Sequence, residues 1–159
     1  YKRRGLVKYK VSKTRIRRMF YKPMLLPLLA QVLLTFTVWF YLFARRIPEI
    51  MNKNIDPQNL RDRVQSHALL TDSAPASNNL KNLFEMPVLF YAVVLLSLVL
   101  MIQDGVLVAL AWGFVILRVI HSLIHCSYNN VNHRFGAYAL SCLLLLMMWI
   151  RLASFILLQ

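Results

Sequence analysis

The sequence predicts an all-α membrane protein, a bundle of four transmembrane helices. Three observations predict it. Apolar residues make up 58% of the chain and charged residues 16%, against about 45–50% and about 25% in soluble domains. Four apolar stretches approach or exceed the roughly 20 helical residues needed to cross a hydrocarbon core. The chain has 159 residues, room for one domain.

Residues 1–22 form a basic arm, KRRGLVKYKVSKTRIRR with flanking Tyr, Met and Phe; it holds ten of the 19 Lys and Arg residues and no acid. The net charge of +13 is therefore concentrated in one segment. A soluble nucleic-acid binder spreads such charge over a folded face, so no nucleic acid is expected. The arm reads as a lipid-facing flank that orients the first helix. It also suits docking to acidic lipids, or to an acidic partner in a larger membrane assembly.

The transmembrane domain covers 23–159. The first span is expected over about 24–44, with Pro23 and Pro27 in the opening turn, where proline is tolerated best. Arg45 and Arg46 close it. Residues 45–81 are polar, carry Pro48, Pro57 and Pro75, and read as loop, TDSAPASNN above all. A short interfacial helix fits between Pro57 and Leu70.

The second span is expected over about 83–103 and the third over about 106–126, joined by a tight turn at Gln103, Asp104 and Gly105. The fourth covers about 135–158, after the connector SYNNVNHR. Only helices meet the backbone hydrogen-bonding demand of hydrocarbon over spans of this kind. Cys126 and Cys142 lack paired spacing and read as reduced packing residues.

Ionisable groups inside lipid are costly and need a reason. Arg151, near the end of the fourth span, can snorkel to the interface. Arg118, His121 and His125 form one stripe of the third helix, and Asn78, Asn82 and Glu85 one stripe of the second. A hairpin centred on Asp104 puts Glu85 level with the two histidines. The next hairpin, near Asn130, brings Arg134 and Tyr138 level with Cys126 and Ser122. With Arg45 and Arg46, all four helices then send polar groups to one end of the bundle. Structural ion pairs, chiefly Glu85 with Arg118 or a histidine, are the alternative reading. His121 and His125 also have the spacing of helical zinc ligands. They lack an acid at the adjoining position, so no metal is expected. Haem, quinone or lipid binding stays open for the same pocket.

NLFEMPVLFYA at 82–92 and LAWGFVILRVIHSLIH at 110–125, followed by a polar connector, resemble the MAPEG family, the membrane-associated proteins of eicosanoid and glutathione metabolism. The likeness covers about 24–158, leaves the arm outside, and is nearest to bacterial members. It implies a homotrimer of four-helix subunits in a bacterial inner membrane. It also implies glutathione bound between subunits, its thiolate acting as transferase or peroxidase on lipophilic substrates. By position, Asn82 and Glu85 match the motif that holds the glutathione backbone. His121 matches the third-helix histidine, and Arg134 the fourth-helix arginine beside the thiol. Arg118, His125, Lys81, Tyr138 and one of Arg45 and Arg46 complete the expected site.

Three departures stand against this pattern. Ser77, Asn78, Asn79 and Lys81 occupy places where prostaglandin-synthase-type members carry arginines. His125 replaces a tyrosine, and Phe135 a serine. A non-catalytic accessory subunit, docked through the arm, is the competing reading. Ten basic residues in the arm against seven on the opposite side (Arg45, Arg46, Lys53, Arg61, Arg63, Lys81 and Arg134) point to a cytoplasmic N-terminus. Well-studied family members hold their active side in the cytosol, which points the other way.

Overall fold

Four membrane-length helices, and no strand among the described residues, make up the computed structural model, which describes residues 22–158. Residues 1–21 of the basic arm lie outside them. The elements are α1 (Lys22–Asn52), a 3-10 turn (Pro57–Leu60), α2 (Arg63–Leu69), α3 (Ala74–Leu83), α4 (Met86–Val99), α5 (Gly105–Cys126) and α6 (Val131–Leu157). α1, α5 and α6 each make one span, and α3 with α4 makes another over Ala74–Val99.

α1 does not stop at Arg45 and Arg46. It runs to Asn52, through Pro48. Its final turns are held by Glu49, whose buried carboxylate accepts from Lys53 Nζ at 2.6 Å and from the Asp72 and Ser73 amides at 2.8 and 2.9 Å. That one side chain staples the 53–73 loop to the helix. Pro57 opens its 3-10 turn and Asp62 caps α2 through the amides of Val64 and Gln65.

Of the stretch expected as loop, 45–81, residues 74–81 are helix. Pro75 falls in the first turn of α3, where its missing N–H costs nothing. The second span therefore starts at Ala74 rather than 83, and it is broken. Glu85, with φ −95° and ψ −100°, separates α3 from α4, and Pro87 sits in the first turn of α4. A straight helix would set the Pro87 ring against the Leu83 carbonyl. The span ends at Val99, before a turn at Leu100–Gln103, and Asp104 caps α5 through the Val106 amide. α6 starts at Val131 because Asn130 Oδ1 accepts from the Asn132 and His133 amides.

The core lies where α4, α5 and α6 meet. Phe90 stacks on Phe114 with ring centroids 4.6 Å apart, flanked by the buried Val94, Ala111, Leu145 and Met148. At Gly113 an added Cβ would lie 2.8 Å from Leu144 Cδ1, so the missing side chain lets α6 approach. Apolar surroundings give helices in lipid no hydrophobic drive to associate, so such close packing carries the assembly. Leu26, Leu29, Leu33, Phe36 and Phe40 of α1 are exposed, as lipid-facing residues should be.

Candidate functional site

At the end of the bundle where α5 gives way to α6, the spacing of the α5 stripe does its work. Arg118, His121 and His125 are all buried, at 0, 2 and 2% exposure. The connector Ser127–Asn130 turns the chain back, with Asn129 taking φ +49°, a left-handed conformation that asparagine tolerates better than most residues. This turn brings Arg134 of α6 against the stripe. Arg134 Nη1 donates to Asn129 Oδ1 at 2.7 Å and to His125 Nε2 at 3.3 Å. A guanidinium has no acceptor, so this His125 nitrogen carries the lone pair.

The Arg134 carbonyl in turn receives His121 Nδ1 at 3.1 Å. A carbonyl only accepts, so Nδ1 holds the proton and Nε2 of neutral His121 keeps a lone pair, with no partner. The Tyr138 ring lies 5.9 Å from that of His121 and 5.7 Å from the Arg118 guanidinium carbon. Arg118, His121, His125, Arg134 and Tyr138 therefore form one cluster.

From the second span, Asn82 joins through its backbone: its carbonyl accepts from Arg118 Nη2 at 2.7 Å. Arg118 Nε and Nη1 and His125 Nδ1 are buried without a partner. No carboxylate touches either side chain among the described residues.

Glu85 is placed differently from expectation. Asn82 faces Arg118, and Asn79 faces Ser122. This register puts Glu85 near the level of Arg118 rather than between the histidines. Its side chain is exposed and forms no ion pair among the described residues. The turn through Leu100–Gln103, longer than the one drawn from sequence, and the break after Leu83 account for the shift. Arg45 is exposed. Arg46 and Lys81 line a separate pocket with Ser66, His67 and Ser77, where Arg46 Nη2 donates to Ser77 Oγ at 3.3 Å.

Asn79 is the residue the sequence reading missed. It is fully buried, its Oδ1 accepting from Ser122 Oγ at 3.2 Å and its Nδ2 donating to Cys126 Sγ at 3.4 Å. Ser122 and Cys126, one turn apart, were the available signal. Drawing the helical stripe through Asn78 instead of Asn79 hid it. No group of three His, Cys, Asp or Glu side chains suited to a metal occurs among the described residues.

The family model of the MAPEG family matches residues 24–154. The chain belongs to the MAPEG family. The match reaches into all four spans and includes every residue of the cluster. Comparison with curated proteins and with solved structures returned no match. MAPEG membership and four apolar helices make this an integral, multi-pass membrane protein in a lipid bilayer.

Proposed function

We propose that this MAPEG protein binds glutathione at the cluster and works as a membrane transferase or peroxidase on lipophilic substrates. One observation carries the reading. Two arginines and two histidines lie together where α5 gives way to α6, with four buried nitrogens unpartnered and no carboxylate in contact among the described residues. A buried guanidinium with no carboxylate in contact is costly, and a peptide with two carboxylates and a thiolate brings such charges. MAPEG membership supports the choice of glutathione among such anions.

The chemistry follows from the partners. His121 Nε2, with its free lone pair, is the acceptor for the thiol proton. The guanidinium of Arg134, held by Asn129 and His125, stabilises the thiolate so formed. Thiolate is the nucleophile in transfer and in peroxide reduction alike. Arg118 and the Asn82 region hold the peptide. Lys81, Arg45 and Arg46 lie outside this cluster in one chain. In the homotrimer we propose, Glu85 is the group left to meet a neighbouring subunit.

The reading is tested with detergent-solubilised protein. Millimolar glutathione raises the melting temperature, and the protein conjugates a chlorodinitrobenzene electrophile or reduces a lipid hydroperoxide. Arg134→Ala abolishes turnover while the bundle stays folded. A melting temperature that glutathione leaves unmoved removes the proposal.

A further inference from the structure

On the α1 side of α5, away from the side on which His121 and His125 reach Arg134, two cavities join into one groove. The first, about 390 Å³, lies at the polar end of the bundle and is lined by Thr37, Tyr41, Ser122, Cys126 and Ser127. The second, about 410 Å³, continues it to Trp112. Leu34, Thr37 and Val119 line both. α1 and α5 run parallel here: Tyr41 donates to the Cys126 carbonyl at the mouth, and Ala30 lies with Trp112 at the far end. Ser127 follows Trp112 by fifteen residues, so the groove is about 22 Å long at the rise of an α-helix.

The walls decide what fits. No charged residue lines either cavity, so a phosphate or a carboxylate finds no counter-charge. Beyond Thr37 the inner cavity is apolar. At the mouth every side-chain hydroxyl already donates within the protein. Thr37 donates to the Leu33 carbonyl, Tyr41 to that of Cys126, Ser122 to Asn79 Oδ1 and Ser127 to the Leu123 carbonyl. Cys126 adds a thiol, a weak donor whose sulfur accepts from Asn79. Each hydroxyl oxygen keeps acceptor capacity. The mouth therefore presents acceptors and no strong side-chain donor. A ligand that completes it brings hydroxyl donors, carries no charge and ends in one long chain.

We propose that the α1–α5 groove binds a neutral single-chain lipid with a hydroxyl headgroup, of the monoacylglycerol class. Its hydroxyls donate to the oxygens of Thr37 and Ser127, and its chain runs past Val119 to Trp112. The site uses no residue of the proposed glutathione cluster and stands whether or not glutathione binds there.

Competition labelling of the whole protein tests this, in an amine-oxide detergent whose head carries no hydroxyl. A monoacylglycerol with a photoreactive diazirine on its chain is cross-linked, and the labelled peptides are mapped. Label should fall on the walls around Leu34 and Val119. Unlabelled monoacylglycerol should displace it at about one-fifth of the concentration that the methyl ester of the same fatty acid needs, the factor one net hydrogen bond gives. The ionised fatty acid should need more still. Thr37→Val with Ser127→Ala changes two exposed residues whose hydroxyls serve only backbone carbonyls of their own helices. It should make monoacylglycerol and ester equal competitors while labelling persists. Val119→Trp, which blocks the groove, should abolish labelling. An ester or acid that competes with the wild type as well as monoacylglycerol does overturns the proposal. So does label outside the groove, or undiminished labelling of Val119→Trp. Cross-linking of Leu34 or Val119 to a second copy of the chain would show the groove covered by protein, and also overturns it.

Discussion

The Arg118 guanidinium donates a 2.7 Å hydrogen bond to the carbonyl of Asn82. In an unbroken helix that carbonyl would receive the Met86 amide, but the chain turns away at Glu85. Arg118 thus closes the end of α3 with one nitrogen and leaves Nε and Nη1 buried and free. One side chain joins a flaw in the second span to the cluster on the third.

That double role separates stability from binding. Replacing an unpaired buried charge with an apolar side chain of similar reach removes its desolvation cost, and one lost hydrogen bond at the helix end costs about 1 kcal/mol. Arg118→Met should leave the melting temperature of the ligand-free protein within the change that about 1 kcal/mol produces. Its shift on adding glutathione should be lost. Thermal melts with and without glutathione check both. A variant that fails to fold would make Arg118 a structural residue only.

Glu49 holds the loop above the polar end through three accepted bonds. Glu49→Gln keeps the shape and removes the charge that strengthens such bonds. We expect a local loss of about 1–3 kcal/mol. It should be read as faster proteolytic cleavage within 53–72, with the four spans intact.

Asn79→Ala strips Ser122 and Cys126 of their partner across the α3–α5 contact. Interhelical bonds of this kind in membranes average about 0.6 and reach about 1.7 kcal/mol. The loss of stability, measured by denaturation in detergent, should fall in that range.

At the opposite end, Arg151 Nε donates to Asp104 Oδ2 at 2.8 Å, and this bond holds the Asp104 carboxyl below its ordinary range. A lowered carboxyl stabilises the fold above its unfolded value of about 3.9 and loses that contribution as the pH falls through the folded value. Asp104→Asn keeps the helix cap and removes the ion pair, whose arginine is exposed. The variant should therefore melt slightly lower at pH 7, by no more than about 1 kcal/mol. The gap should close as the pH is lowered past about 4. A gap that is unchanged at pH 3 contradicts the pairing.

Apolar length made the four spans legible, because lipid demands it. Hairpin counting placed Arg134 and Tyr138 beside the α5 stripe, since Asn130 is both the turn and the cap of α6. Local signals failed where a distant residue decides the outcome. Pro75 and Asn78 resemble loop until Glu49 binds the amides just before α3. The uninterrupted span expected over 83–103 takes no account of Pro87 or of the turn after Val99, and so it sets Glu85 too near the histidines. Asn79 was hidden by a helical phase off by one residue. The unpartnered nitrogens on Arg118, His121 and His125 have no sequence signature at all.

Calorimetric titration of the solubilised wild type and of Arg134→Ala with glutathione tests the central claim most directly. The account predicts saturable binding to the wild type, weakened at least tenfold by the substitution. Equal heats from both proteins, or none from either, would contradict it.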